Sequence, residues 1–186
     1  MTDLKADPEA LAAQQLSALG RIGTLLDRAG LAYWLFGGWA VDFQVGAVTR
    51  PHDDVDVAVW LHDAPKLGTL LEADGWRHAP SDEDDGGTGY ERGPVRLELT
   101  YLVTDERGRI FIPLRQGNVL WSKAPLGDTV LTLLDVRARV VELDLLAGGK
   151  SSPREDPGDA AKDGADHLVL SRVEQTEFRR PAPPER

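Results

Sequence analysis

Residues 33–60 read YWLFGGWAVDFQVGAVTRPHDDVDVAVW, and three changes of pattern inside this stretch decide the architecture. The run Leu31 to Phe36 is apolar, short and aromatic-rich, the composition of a buried strand. Gly37-Gly38 interrupts it, and a helical stretch follows from Trp39 to Gly46. Val55, Val57 and Val59 then alternate with Asp54, Asp56 and Ala58, the period of a second strand with one buried face. Strand, diglycine, helix, strand brings backbone N–H groups and a helix start to one end of a sheet.

Working outward, Asp7-Pro8-Glu9 is a helix start, because Asp caps free N–H groups and Pro fits the first turn. Leu16, Leu19, Ile22 and Leu26 recur at helical spacing until Gly30, which predicts an amphipathic helix over residues 8–29. On the other side, Pro65 to Asp74 reads as a helix closed by Gly75. Residues 80–89, PSDEDDGGTG, combine acids with glycines and are expected to form a mobile loop, with a lid as one use for it. Val95, Leu97, Leu99 and Tyr101 alternate with Arg96, Glu98 and Thr100 in a third strand, and Asp105 to Gly108 turns into Ile110–Leu114. Short strands near 129–133 and 137–141 and helices near 142–148 and 157–169 complete the reading. The expected fold class is α/β (α+β), a mixed twisted β-sheet flanked by helices. One domain spans 1–170, and 171–186 forms a flexible C-terminal tail.

Charge narrows the partners. The chain has 186 residues, 31 Asp+Glu against 21 Lys+Arg and a net charge of -10, so its average surface repels nucleic acid. With no Cys, disulfides, thiolate zinc sites and thiol nucleophiles are all excluded. No apolar run approaches the length of a membrane span, and the N-terminus has no signal-peptide pattern, so a soluble cytoplasmic protein is expected.

Side chains two apart on a strand share a face, so Asp54 and Asp56 project together. Adjacent carboxylates repel each other unless a cation lies between them, and oxygen ligands suit Mg²⁺ or Mn²⁺. A solvent-facing edge strand guarded by acids would show the same pair. Glu98 lies on the polar face of the third strand and joins Asp54 and Asp56 if that strand pairs beside the second. Gly37 and Gly38 suit a phosphate cradle or a plain tight turn, while Arg50 and His52 are placed to contact phosphates. Asp42 is either a supporting hydrogen-bond partner or part of a solvated helix face; Trp34 and Trp39 are expected in the core.

The pattern GGWxxD, then Gly, then TRxHxDxDxxV resembles the antibiotic nucleotidyltransferases of the minimal nucleotidyltransferase superfamily, of the DNA polymerase β-like fold. It is similar to both the lincosamide and the aminoglycoside 2″ types. A second match lies at RLELTYLVTDERGR, and KSSPREDPGDAAKD looks like a lysine-containing segment of related proteins. The resemblance implies that Asp54 and Asp56 bind Mg²⁺, that Glu98 is the general base and a further metal contact, and that Gly37, Gly38, Arg50, His52 and Lys150 hold the nucleotide. Asp53 stands where many members have Ser, and Glu98 where Asp is more frequent. The implied reaction is Mg²⁺-dependent transfer of a nucleoside monophosphate, AMP from ATP or another nucleoside triphosphate, to a hydroxyl of a small cationic antibiotic. A homodimer is implied as well. The alternative is an antitoxin-type member that binds or adenylylates a partner protein.

Overall fold

The computed structural model describes residues 7–81 and 84–150 with residues 164, 166 and 170, and side chains as far as Leu146 in the last helix. The chain runs α1 (Pro8–Ala29), β1 (Tyr33–Leu35), α2 (Gly37–Val45), β2 (Val55–Trp60), a 3-10 turn, α3 (Ala64–Ala73), β3 (Arg77–His78), β4 (Gly87–Arg92) and β5 (Val95–Thr104). It continues through β6 (Ile110–Leu114), β7 (Gly117–Ser122), β8 (Val130–Leu133), β9 (Val136–Arg139) and α4 (Leu143–Lys150). The first helix has the predicted bounds, with Asp7 accepting from Glu9 N–H at one end and a left-handed Gly30 at the other.

The principal sheet has the order β1-β2-β5-β4-β3 and is mixed: β2 and β5 run parallel, and their other neighbours pair antiparallel. The far end of β5 pairs with β6, which pairs with β7, while β8 and β9 form a separate hairpin. Leu19, Ile22 and Leu26 of α1 are buried with Val55, Val57 and Val59 of β2 and Leu97 and Leu99 of β5. Trp34 and Trp39 are buried as expected, and Trp34 Nε1 donates to Gly127 C=O at 2.8 Å.

Two expectations need correction. The stretch 80–89 is not all loop, because Gly87–Arg92 is a strand hydrogen-bonded along β5. Added Cβ atoms at Gly87 would lie 2.0 Å from Leu99 C=O, so its glycine serves close strand approach. Before that strand, Ser81 N–H donates to Asp84 and Arg115 N–H to Asp85, which ties down both acids. Strand β7 was not anticipated; it pairs with β6 and leaves Val119 and Leu120 exposed. Of the helix expected near 157–169, Gly164 and Asp166 are helical. The remainder of it, and the expected tail, lie outside the described residues.

Asp42 decides how β2 begins. It sits on α2 with no solvent exposure, and Gly46 in a left-handed conformation turns the chain back over it. Thr49 donates its N–H and hydroxyl to Asp42 Oδ1 at 3.0 and 2.5 Å, and His52 Nε2 lies 2.6 Å from Oδ2. The His52 ring also packs on Trp39, at 4.5 Å between centroids, and its backbone C=O accepts from Gln15 at 3.0 Å. One carboxylate thus satisfies three polar groups and fixes the segment that enters β2, answering the alternatives for Asp42 in favour of a supporting role. Asp42→Ala leaves the buried His52 ring without its partner and unties the exposed Thr49, and should cost about 2 kcal/mol of stability, read from urea midpoints. A cost under about 1 kcal/mol would refute the hub.

Candidate active site

The parallel pairing of β2 and β5 puts Asp56 and Glu98 directly side by side as Cα partners. Asp54 is the residue that precedes β2, two before Asp56, and its charge acts on Glu98. The condition on which the three-carboxylate reading depended, that the third strand lie beside the second, is met. Glu98 is half-buried, and Arg96 Nε donates to its Oε1. Burial raises the Glu98 carboxyl above its ordinary range; Arg96 pulls it down, and the charges of Asp54 and Asp84 push it up again. Among the described residues, no three His, Asp or Glu side chains stand as one ready-made metal-binding group.

The diglycine abuts these acids. Gly37 opens α2 with φ +68, and a Cβ there would lie 1.9 Å from Asp56 Oδ2, so the Asp56 carboxylate occupies the space that any other residue would fill. Phe36 N–H donates to Asp56 C=O at 3.1 Å, which fastens the turn to β2. At Gly38 a Cβ would meet His52 Nδ1 at 2.5 Å and Arg50 Nη2 at 2.7 Å. Both glycines are therefore demanded by approach of site residues, and the helix N-terminus lies against the acid face. The donors are all oxygen with no Cys in the chain, a set that fits Mg²⁺ or Mn²⁺.

Two of the expected phosphate contacts, His52 and Arg50, have protein partners. His52 is buried behind Gly38 against Asp42. Arg50 grips Asp166 through Nε and Nη2 at 3.1 and 3.0 Å, and this pairing, with Asp166 only 2% exposed, raises its already high pKa. No local signal pointed to Asp166, which is 116 residues away. Lys150 is the last residue of α4, and its side chain lies outside the described set. Arg96 is recognisable in the sequence only as a same-face neighbour of Glu98; its further partner Glu91, 3.3 Å away, belongs to β4, a strand the sequence pattern does not signal.

Comparison with known proteins places this geometry in context. Residues 18–100 match the sequence profile of the Aminoglycoside-2''-adenylyltransferase family. A 2''-aminoglycoside nucleotidyltransferase of Klebsiella pneumoniae is 35% identical over 84 residues, covering 45% of this chain and 46% of that protein. One from Escherichia coli is 35% identical over 63 residues, covering 34% and 36%. The matched segments thus span about half or less of these relatives. Among solved structures, the lincosamide antibiotic adenylyltransferase LnuA with lincomycin bound superposes with a TM-score of 0.66 at 19% identity, covering 84% of this chain and 96% of that one. The solution structure of ANT(2'')-Ia gives 0.58 at 20% identity, covering 89% and 96%. These likenesses establish a nucleotidyltransferase fold, and residues 18–100, which carry the diglycine and all three acids, are related to the aminoglycoside-2''-adenylyltransferases.

Proposed function

We propose that the protein is an antibiotic nucleotidyltransferase that moves AMP from ATP to a hydroxyl of an aminoglycoside. The observation that carries this is the Asp56–Glu98 register beside a glycine whose missing side chain admits the Asp56 carboxylate. Asp54 and Asp56 would hold Mg²⁺, which when bound neutralises triphosphate charge and polarises the α-phosphate. Amides of Gly37 and Gly38 and the start of α2 would receive phosphate oxygens. Glu98 takes the acceptor hydroxyl's proton as its oxygen attacks the α-phosphorus; the bond to the leaving pyrophosphate breaks, and its electrons leave with pyrophosphate. Arg50 and His52 support this site from behind Gly38, and Lys150 stays a candidate nucleotide contact.

The 35% identical relatives support an aminoglycoside acceptor, and a net charge of -10 suits a polycation. Asp84 contributes locally, since its charge acts on both Glu98 and Arg96. The protein-directed alternative finds no support among these relatives. No described helix is long and apolar enough to cross a membrane; a cytoplasmic homodimer belongs to the same reading.

Three outcomes test it. Pyrophosphate release with ATP, Mg²⁺ and an aminoglycoside should vanish in Asp54→Asn and Asp56→Asn, and fall about 10²- to 10⁴-fold in Glu98→Gln. Unchanged turnover in these variants removes the site assignment. Thermal shifts should show ATP–Mg²⁺ and aminoglycosides stabilising the protein together. Coupling with lincosamides alone would move the acceptor to that class.

The third outcome concerns pH. A carboxyl whose pKa is higher folded than unfolded favours folding while protonated, so stability falls as pH rises from the unfolded value through the folded one. Burial gives Glu98 this sign. Metal-free Glu98→Gln should therefore melt above the wild type at neutral pH, the two converging below about pH 4. Equal melting temperatures across that range would contradict it.

A further inference from the structure

We propose that Arg96 is a positioning residue that holds Glu98 in the metal-free protein and competes with a divalent cation for its carboxylate, Glu91 keeping the guanidinium when Glu98 turns away. This rests on the metal and base roles proposed above. Alternation along β5 places Arg96 and Glu98 on one face, and β4 runs opposite, with Glu91 facing Arg96 and Gly89 facing Glu98. A Cβ on Gly89 would lie 2.8 Å from Arg96 Nη2 and 3.3 Å from its Cζ, so the guanidinium rests in a berth left by that glycine. Inside it, Arg96 Nε donates to Glu98 Oε1 while Nη1 lies 3.3 Å from Glu91 Oε1. Glu91 is paired in turn with Arg77, so Arg77, Glu91, Arg96 and Glu98 form a ladder of alternating charge across β3, β4 and β5.

The ladder gives Arg96 two acids and Glu98 two suitors. A cation on Asp54 and Asp56 adds positive charge beside Glu98, and a guanidinium on the same carboxylate opposes its approach. Release costs little, because Glu91 remains as a partner and Arg96, Glu91 and Glu98 side chains are 33%, 36% and 27% exposed. Glu98 is thus neutralised by Arg96 when no cation is present and turns from the guanidinium toward the cation once one binds.

Mn²⁺ binding to the nucleotide-free protein, followed by the EPR signal of free Mn²⁺, tests this without turnover. Arg96→Gln should tighten Mn²⁺ about three- to fivefold, the range of a partly exposed ion pair. Arg96→Lys, which keeps the charge and loses the fork, should fall between. In a Glu98→Gln background the Arg96→Gln change should shrink below about twofold. No tightening, or equal tightening with and without Glu98, overturns the competition. Asp56→Asn should weaken Mn²⁺ in every background. If it does so while Arg96 and Glu98 remain uncoupled, only this proposal falls; if it changes nothing, the metal site itself falls.

Discussion

Two carboxylates held side by side across neighbouring strands repel one another, and the rest of this site is arranged around that fact. Asp56 and Glu98 are locked in register by six consecutive partner pairs between β2 and β5, with valines and leucines buried on the opposite face. Slipping the register by one residue would separate the acids only by turning the core face outward, so apolar burial enforces the charge proximity. What relieves it differs for each acid: Glu98 has Arg96, whereas Asp56 lies in the hollow above Gly37 at the mouth of a helix.

Behind this face lies a second layer of polar contacts. Asp42 gathers Thr49 and His52, His52 presses under Gly38, and Arg50 reaches from the same place to Asp166. These groups set the path by which the chain leaves α2 and enters β2. Small errors in that path would displace the carboxylates directly, since Asp54 is only two residues beyond His52.

The sequence disclosed the elements whose signal is periodic. The valines of β2, the alternation of β5 and the leucines of α1 all appear where spacing puts them, whereas the pairing of β2 with β5 has no signal in spacing and comes from the fold. It concealed β4, because Gly87 and Gly89 are there for close approach to Leu99 and Arg96, and glycines beside acids read as loop. The partner of His52 is hidden in the sequence because Asp42 meets it only after the turn at Gly46. Asp166 was invisible for a different reason: a salt bridge across 116 residues leaves no trace in any local pattern.

That separation, with the pairing of Leu35 to Val140 and Val141, bears on how the protein is made. During synthesis at about 5–20 residues per second, the stretch bearing Asp54 and Asp56 would emerge roughly five to twenty seconds ahead of the residues that finish β1 and hold Arg50. For that interval a strand edge rich in apolar side chains waits on the ribosome with these acids beside it. The acids that later serve the site would then guard the nascent edge against sticking to other chains.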